Sequence, residues 1–164
     1  MKSALIVVDV QNYFLNESTK HLPARIAGYI KSSSFDFVLL TKFVNSRKSN
    51  FAKSLGWHNC NSSPDTDIPK ELEEFTNGHN VFEKNTFSAF KNVQMVKFLL
   101  RNKISKVYLC GTDSDACVLA SAYDAFDLGF SVKVVKELCA SCNGNDFHEY
   151  GRAIIERNLE KRPI

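Results

Sequence analysis

No stretch of this sequence stays apolar for the roughly 20 residues that a membrane-spanning helix needs, so no membrane partner is expected. The N-terminal run "MKSALIVVDVQNYF" breaks at Asp9 and lacks a small-residue cleavage site, so the chain is expected to begin directly with structure. An excess of one charge sign is also missing: 21 Lys and Arg face 18 Asp and Glu, a net of +3, and the basic residues are scattered. That lacks the footprint of a nucleic-acid binder and leaves a small molecule as the expected partner. No G-x-G-x-x-G follows the first apolar run, which argues against a dinucleotide site. Neither a repeat nor a biased tail is present. Even the cysteine set is incomplete for pairing, at five, in a chain large enough to fold without disulfides. Free thiols and a reducing cytoplasm are therefore expected.

What is present suits one soluble domain over residues 1–164, with 44% hydrophobic and 24% charged residues. The apolar runs Ala4–Val10, Phe35–Val44, Lys106–Gly111 and Phe130–Glu137 are nearly continuous and rich in valine and isoleucine, as strands covered on both faces should be. A shorter run surrounds Val81. Between them, "ARIAGYIKSS", "VQMVKFLLRNK", "CVLASAYDAFDLG" and "EYGRAIIERNLEK" carry helical spacing. Strands alternating with helices predict a doubly wound α/β domain, an open sheet of mostly parallel strands with helices on both faces. The polar segment 44–67 is longer than ordinary connections; its Phe51, Leu55 and Trp57 favour a loop covering the site over a disordered excursion.

Ligands of open parallel sheets bind beyond the carboxyl ends of the strands. Three such ends deliver chemistry here: Asp9 after the first, Lys84 after the short run, and Cys117 just beyond Gly111. Taken singly, Asp9 suits a cap or turn, Lys84 a solvated surface, and a free cysteine such as Cys110 a buried apolar position. Cys117 differs by its address. A thiol at a helix start beside a lysine is expected as thiolate, and a neighbouring aspartate can move its proton. The loop ahead of it can offer backbone N–H groups to a developing oxyanion.

The blocks "ALIVVDVQNYF", "VFEKNTFSAF" and "GTDSDACVLASAYDAFDLGF", in this order, resemble the isochorismatase-like cysteine hydrolase superfamily, which includes nicotinamidases, N-carbamoylsarcosine amidases and ureidoacrylate amidases. The resemblance implies a catalytic triad of Asp9, Lys84 and Cys117. It also implies a cis peptide between Thr112 and Asp113, and an oxyanion hole from the backbone N–H groups of Asp113 and Cys117. Ser114 and Asp115 fit the family's Thr-Asp pair, and either side chain can cap the following helix. Phe14, Trp57, Phe87 and Phe90 either line a small aromatic pocket or pack in the core. Dimers or tetramers are common in the family, so a homo-oligomer is expected.

Where nicotinamidases carry an aspartate and histidines for a metal, this sequence has "TKFVN", with Phe43 and Asn45 at the ligand positions. No metal and no other cofactor are expected, since His58, Cys60, Cys139 and Cys142 do not make a four-ligand zinc signature. His21 and His79 read as surface residues and His148 as a helix-start residue. Isochorismatase itself cleaves a vinyl ether without this cysteine, so Cys117 points to carbon–nitrogen bond hydrolysis through a thioester. The alternatives are a metal-dependent nicotinamidase with relocated ligands and a non-catalytic binding or redox-sensing protein.

Overall fold

The computed structural model describes residues 1–160. The last four positions of the expected domain, and the end of its last expected helix at Lys161, lie outside the described residues. Five strands form one sheet: β1 (Lys2–Val8), β2 (Phe37–Phe43), β3 (Val81–Lys84), β4 (Ile104–Gly111) and β5 (Ser131–Cys139). Their order is β3-β2-β1-β4-β5, and every neighbouring pair is parallel. Parallel neighbours require crossovers, and helices supply them on both faces of the sheet. They are α1 (Leu22–Ser32), α2 (Asn50–Leu55), α3 (Lys70–Glu73), α4 (Val93–Arg101), α5 (Cys117–Asp127) and α6 (Asn145–Leu159).

The continuous apolar runs land where both faces are covered. Ala4, Leu5, Ile6, Val7 and Val8 are all buried, as are Leu39, Leu40, Val107 and Leu109 in the flanking strands. Each large side chain so buried contributes roughly 1.5–3 kcal/mol. Helix α4 opens on Asn92, whose side chain accepts from the Met95 N–H, and buries Met95 and Leu99. Helix α5 stops before Gly129, which takes a left-handed φ of 86°.

Chain order reverses direction at β1, between β2 on one side and β4 on the other. That switch point opens a crevice beyond the strand ends, and the tops of β1 and β4 are its walls. They approach closely enough to demand glycine. At Gly111, with φ 118°, a Cβ would stand 2.2 Å from the Val8 carbonyl oxygen.

The segment 44–67 carries secondary structure of its own. It contains α2, capped by the Ser49 hydroxyl on the Ala52 N–H and closed by Gly56 in a left-handed conformation.

Candidate active site

Asp9 leaves β1 in a left-handed conformation, φ 49°, which turns its side chain out of the strand register. Asp9 is held from both sides of the switch point. Thr41 of β2 donates its hydroxyl to Oδ1 at 2.7 Å and accepts the Asp9 N–H at 3.1 Å. Thr112 donates its hydroxyl to the Asp9 carbonyl at 2.9 Å. Neither threonine stood out in the sequence, because a lone threonine at a strand end carries no pattern.

Lys84 is the last residue of β3, two strands from β1, so only a long side chain reaches the crevice across β2. Its Nζ lies 2.6 Å from Asp9 Oδ2, with both side chains 1% exposed. The same ammonium donates to the carbonyls of Thr86 at 2.7 Å and Phe87 at 3.0 Å, and stands 3.6 Å from the Cys117 sulfur. Burial alone would strip its proton, but the Asp9 carboxylate and Cys117 outweigh it and hold the ammonium above its ordinary range. Thr41 occupies Oδ1, so Oδ2, which faces the Lys84 ammonium, is the oxygen of Asp9 turned to the rest of the site.

Cys117 is the first residue of α5. Its surroundings oppose the thiolate that the helix start and Lys84 favour. Burial, followed by the negative charge of Asp9, pushes the thiol well above the ordinary range, and the lowering by Lys84 does not compensate. Desolvation and a like charge therefore win over the lysine and the helix start. These surroundings favour the thiol, so the nucleophile is made by moving its proton.

The Thr112–Asp113 peptide bond is cis. Among the described residues, neither the Asp113 N–H nor the Cys117 N–H donates to a protein acceptor, while the nearby N–H groups of Thr112, Ser114, Ala116 and Val118 all do. The N–H groups of Asp113 and Cys117 are thus unspent, as is that of Asp115 between them. Ser114 and Asp115 do not cap α5, contrary to expectation. The N-cap position is Ala116, without a side-chain cap, and the Asp113 carbonyl serves the N–H groups of Ala116 and Val118 instead. Ser114 is turned toward His148 of α6, at 2.9 Å.

Cys142 also departs from an ordinary thiol. Its N–H donates to Asp113 Oδ1 at 2.7 Å and its Sγ to Oδ2 at 3.0 Å. Burial raises Asp113 above the usual carboxylate range despite these two bonds, and the Cys142 thiol is pushed up to about 12, first by burial and then by Asp113.

The aromatic residues divide. Tyr13, Phe14, Phe43, Trp57, Phe51 and Phe87 form a continuous row of ring contacts with centroid spacings from 4.7 to 6.3 Å. The row meets the polar residues where the Phe43 ring lies 5.2 Å from Lys84 Nζ. Phe90 stands apart in the core with its ring 5.7 Å from that of Phe130.

A metal does not fit the positions that hold one in nicotinamidases. Phe43 offers only carbon. Asn45 uses its amide on the covering segment, donating to the carbonyls of Trp57 and Asn59 and accepting from the Ser46 N–H and the Ser49 hydroxyl. Cys60 is buried, its thiol held up at about 12 by desolvation and by Asp65 and Asp9. Among the described residues no three His, Cys, Asp or Glu side chains converge as a ligand set.

The model of the isochorismatase domain matches residues 3–158. The chain belongs to the isochorismatase family. Its curated relatives include an uncharacterized isochorismatase family protein, PncA, of Bacillus subtilis, 27% identical over 87% of this chain and 88% of that protein. Nicotinamidase 3 of Arabidopsis thaliana is 25% identical over 90% of this chain and 77% of its own length. Among solved structures, an isochorismatase-like hydrolase from Alkaliphilus metalliredigens superposes with a TM-score of 0.85 at 19% identity, covering 98% of this chain and 93% of the other. At that identity the likeness concerns the isochorismatase fold, which these strands share.

Proposed function

We propose that this isochorismatase-family chain is a small-molecule amidase that cleaves a carbon–nitrogen bond through a thioester on Cys117. The observation that carries this reading is the convergence of Asp9, Lys84 and Cys117 beside a loop with unspent backbone N–H groups at Asp113 and Cys117. A relative named as a nicotinamidase supports the bond type. On this reading Phe14, Trp57 and Phe87, which belong to the aromatic row that reaches Lys84, would supply the apolar side of the substrate site, with residues 44–67 as its cover.

Cys117 Sγ attacks the substrate carbonyl carbon while its proton passes to Asp9 Oδ2. A carbon–sulfur bond forms, and the carbonyl π electrons move to oxygen, where the N–H groups of Asp113 and Cys117 receive them. Collapse breaks the carbon–nitrogen bond, and Asp9 returns the proton to the leaving nitrogen. Water then adds to the thioester, again giving its proton to Asp9. The carbon–sulfur bond breaks, and the sulfur recovers the proton from Asp9. Lys84 keeps its proton throughout. It holds Asp9 in place and stabilises the sulfur while it carries charge.

The test is ammonia release from a panel of primary amides, ureides and carbamoyl compounds by the wild type and by Cys117→Ala. The variant is expected to lose roughly 10³-fold or more in kcat, as removal of a covalent nucleophile does. Turnover that survives in Cys117→Ala at wild-type level overturns the reading.

A further inference from the structure

His148 takes no part in that chemistry, yet it binds the loop that carries the two donors. It is the fourth residue of α6, and its Nδ1 lies 2.9 Å from the Ser114 hydroxyl. Ser114 directly follows the cis peptide and is 1% exposed. Each of its polar groups is fixed from the segment that follows β5. Its N–H donates to the Ala140 carbonyl at 3.0 Å. Its hydroxyl meets His148. Its carbonyl lies so close to the α6 backbone that a Cβ on Gly151 would stand 2.5 Å from the carbonyl oxygen. The N–H groups of both its neighbours, Asp113 and Asp115, are unspent, and Cys117 follows three residues later.

We infer that His148 is a positioning residue that aims the Asp113 and Cys117 donors by holding Ser114 against α6. The inference rests on the hydrolytic reading of the site. The hydroxyl–imidazole bond adds a directional side-chain tie to these backbone contacts. Oxyanion donors act chiefly on charge that develops in the transition state, so a small error of aim is felt in kcat rather than in KM. Displacements of about 1 Å cost up to roughly 10²-fold. The contact is open to change without unfolding the core, because His148 lies half-buried at the first turn of α6.

The experiment compares His148→Ala, His148→Asn, Ser114→Ala and the double Ala variant with Cys117→Ala, on whichever primary amide of the panel the wild type hydrolyses best. The expected result is a kcat lowered about tenfold in His148→Ala, with KM within about twofold and an unchanged melting temperature. His148→Asn, which keeps a polar atom near the Nδ1 position, recovers most of the loss. Ser114→Ala matches His148→Ala, and the double variant is no worse than either single one. Hydrogen–deuterium exchange of the Ser114, Ala116 and Val118 amides accelerates in His148→Ala and returns toward wild type in His148→Asn.

Wild-type turnover in His148→Ala, or a loss that His148→Asn does not recover, overturns the inference. So does faster loop exchange with unchanged kcat, which marks a purely structural contact. If wild type and Cys117→Ala are alike on every amide, the hydrolytic reading has failed, and the exchange data then decide whether His148 sets the loop.

Discussion

Two charges stand 2.6 Å apart at positions 9 and 84, each 1% exposed, and neither tolerates loss of the other. Removing one partner of a buried pair leaves an uncompensated charge, which costs about 3–5 kcal/mol, whereas replacing both is often neutral. Lys84→Met is therefore expected to lower the free energy of urea unfolding by that amount and to abolish turnover. Asp9→Asn combined with Lys84→Met should recover stability but not activity; recovery of both would remove Asp9 from the mechanism. The thiol gives a second prediction at this scale. Asp9 is the main charge raising Cys117, while Lys84 lowers it. In Asp9→Asn the raising charge is gone, so the thiolate fraction at pH 8 increases and iodoacetamide alkylates Cys117 faster than in the wild type. Hydrolysis is lost all the same, because the proton acceptor is missing. Slower alkylation in Asp9→Asn would reverse the assigned electrostatics.

Elements bring these residues together with unequal visibility in the sequence. The strands were legible because both faces of β1, β2 and β4 are covered, which forces uninterrupted apolar runs; β5 ran two residues past its expected end, through Leu138 and Cys139. Strand ends then located Asp9, Lys84 and Cys117. The short α3 escaped notice, as four residues leave no periodicity to read. Most obscure were contacts between distant loops: Thr41 and Thr112 on Asp9, Cys142 on Asp113, His148 on Ser114. Such partners are single polar residues whose meaning lies in tertiary approach, and no spacing announces them. Asn45 belongs with them. Its side chain ties residues 45, 46, 49, 57 and 59 into one unit through four hydrogen bonds. Asn45→Ala should loosen that unit by about 1–3 kcal/mol, the cost of leaving buried partners unsatisfied. Limited proteolysis is expected to shift to residues 46–61 while the exchange protection of β1 and β4 stays unchanged. Cleavage no faster than in wild type would mean that the aromatic row, rather than Asn45, holds the segment.

Across the whole molecule, five free thiols share one electrostatic condition. Cys60, Cys139 and Cys142 are each pushed up to about 12, chiefly by burial. Cys110 and Cys117 rise well above the ordinary value for the same leading reason, and Lys84 is raised as well. A raised value means that the folded protein keeps a proton that the unfolded chain releases as pH passes the ordinary thiol range, near 9.0. Over that window the unfolded state binds fewer protons, so the stability slope with pH is negative. The contribution is complete below about pH 8.5. It is lost as pH climbs toward the folded values. Lys84 adds to the loss above its own ordinary range of 10.5. The urea midpoint under reducing conditions should therefore be flat from neutrality to about pH 8.5 and fall steeply between pH 9 and 11. Cys110→Ala and Cys139→Ala separate this linkage from packing. Each lowers the midpoint at neutral pH by leaving a small cavity, yet each flattens the alkaline limb, because one releasable proton has been removed from the unfolded state. An alkaline limb as steep in these variants as in the wild type would show that burial of the thiols is not what makes the fold sensitive to base.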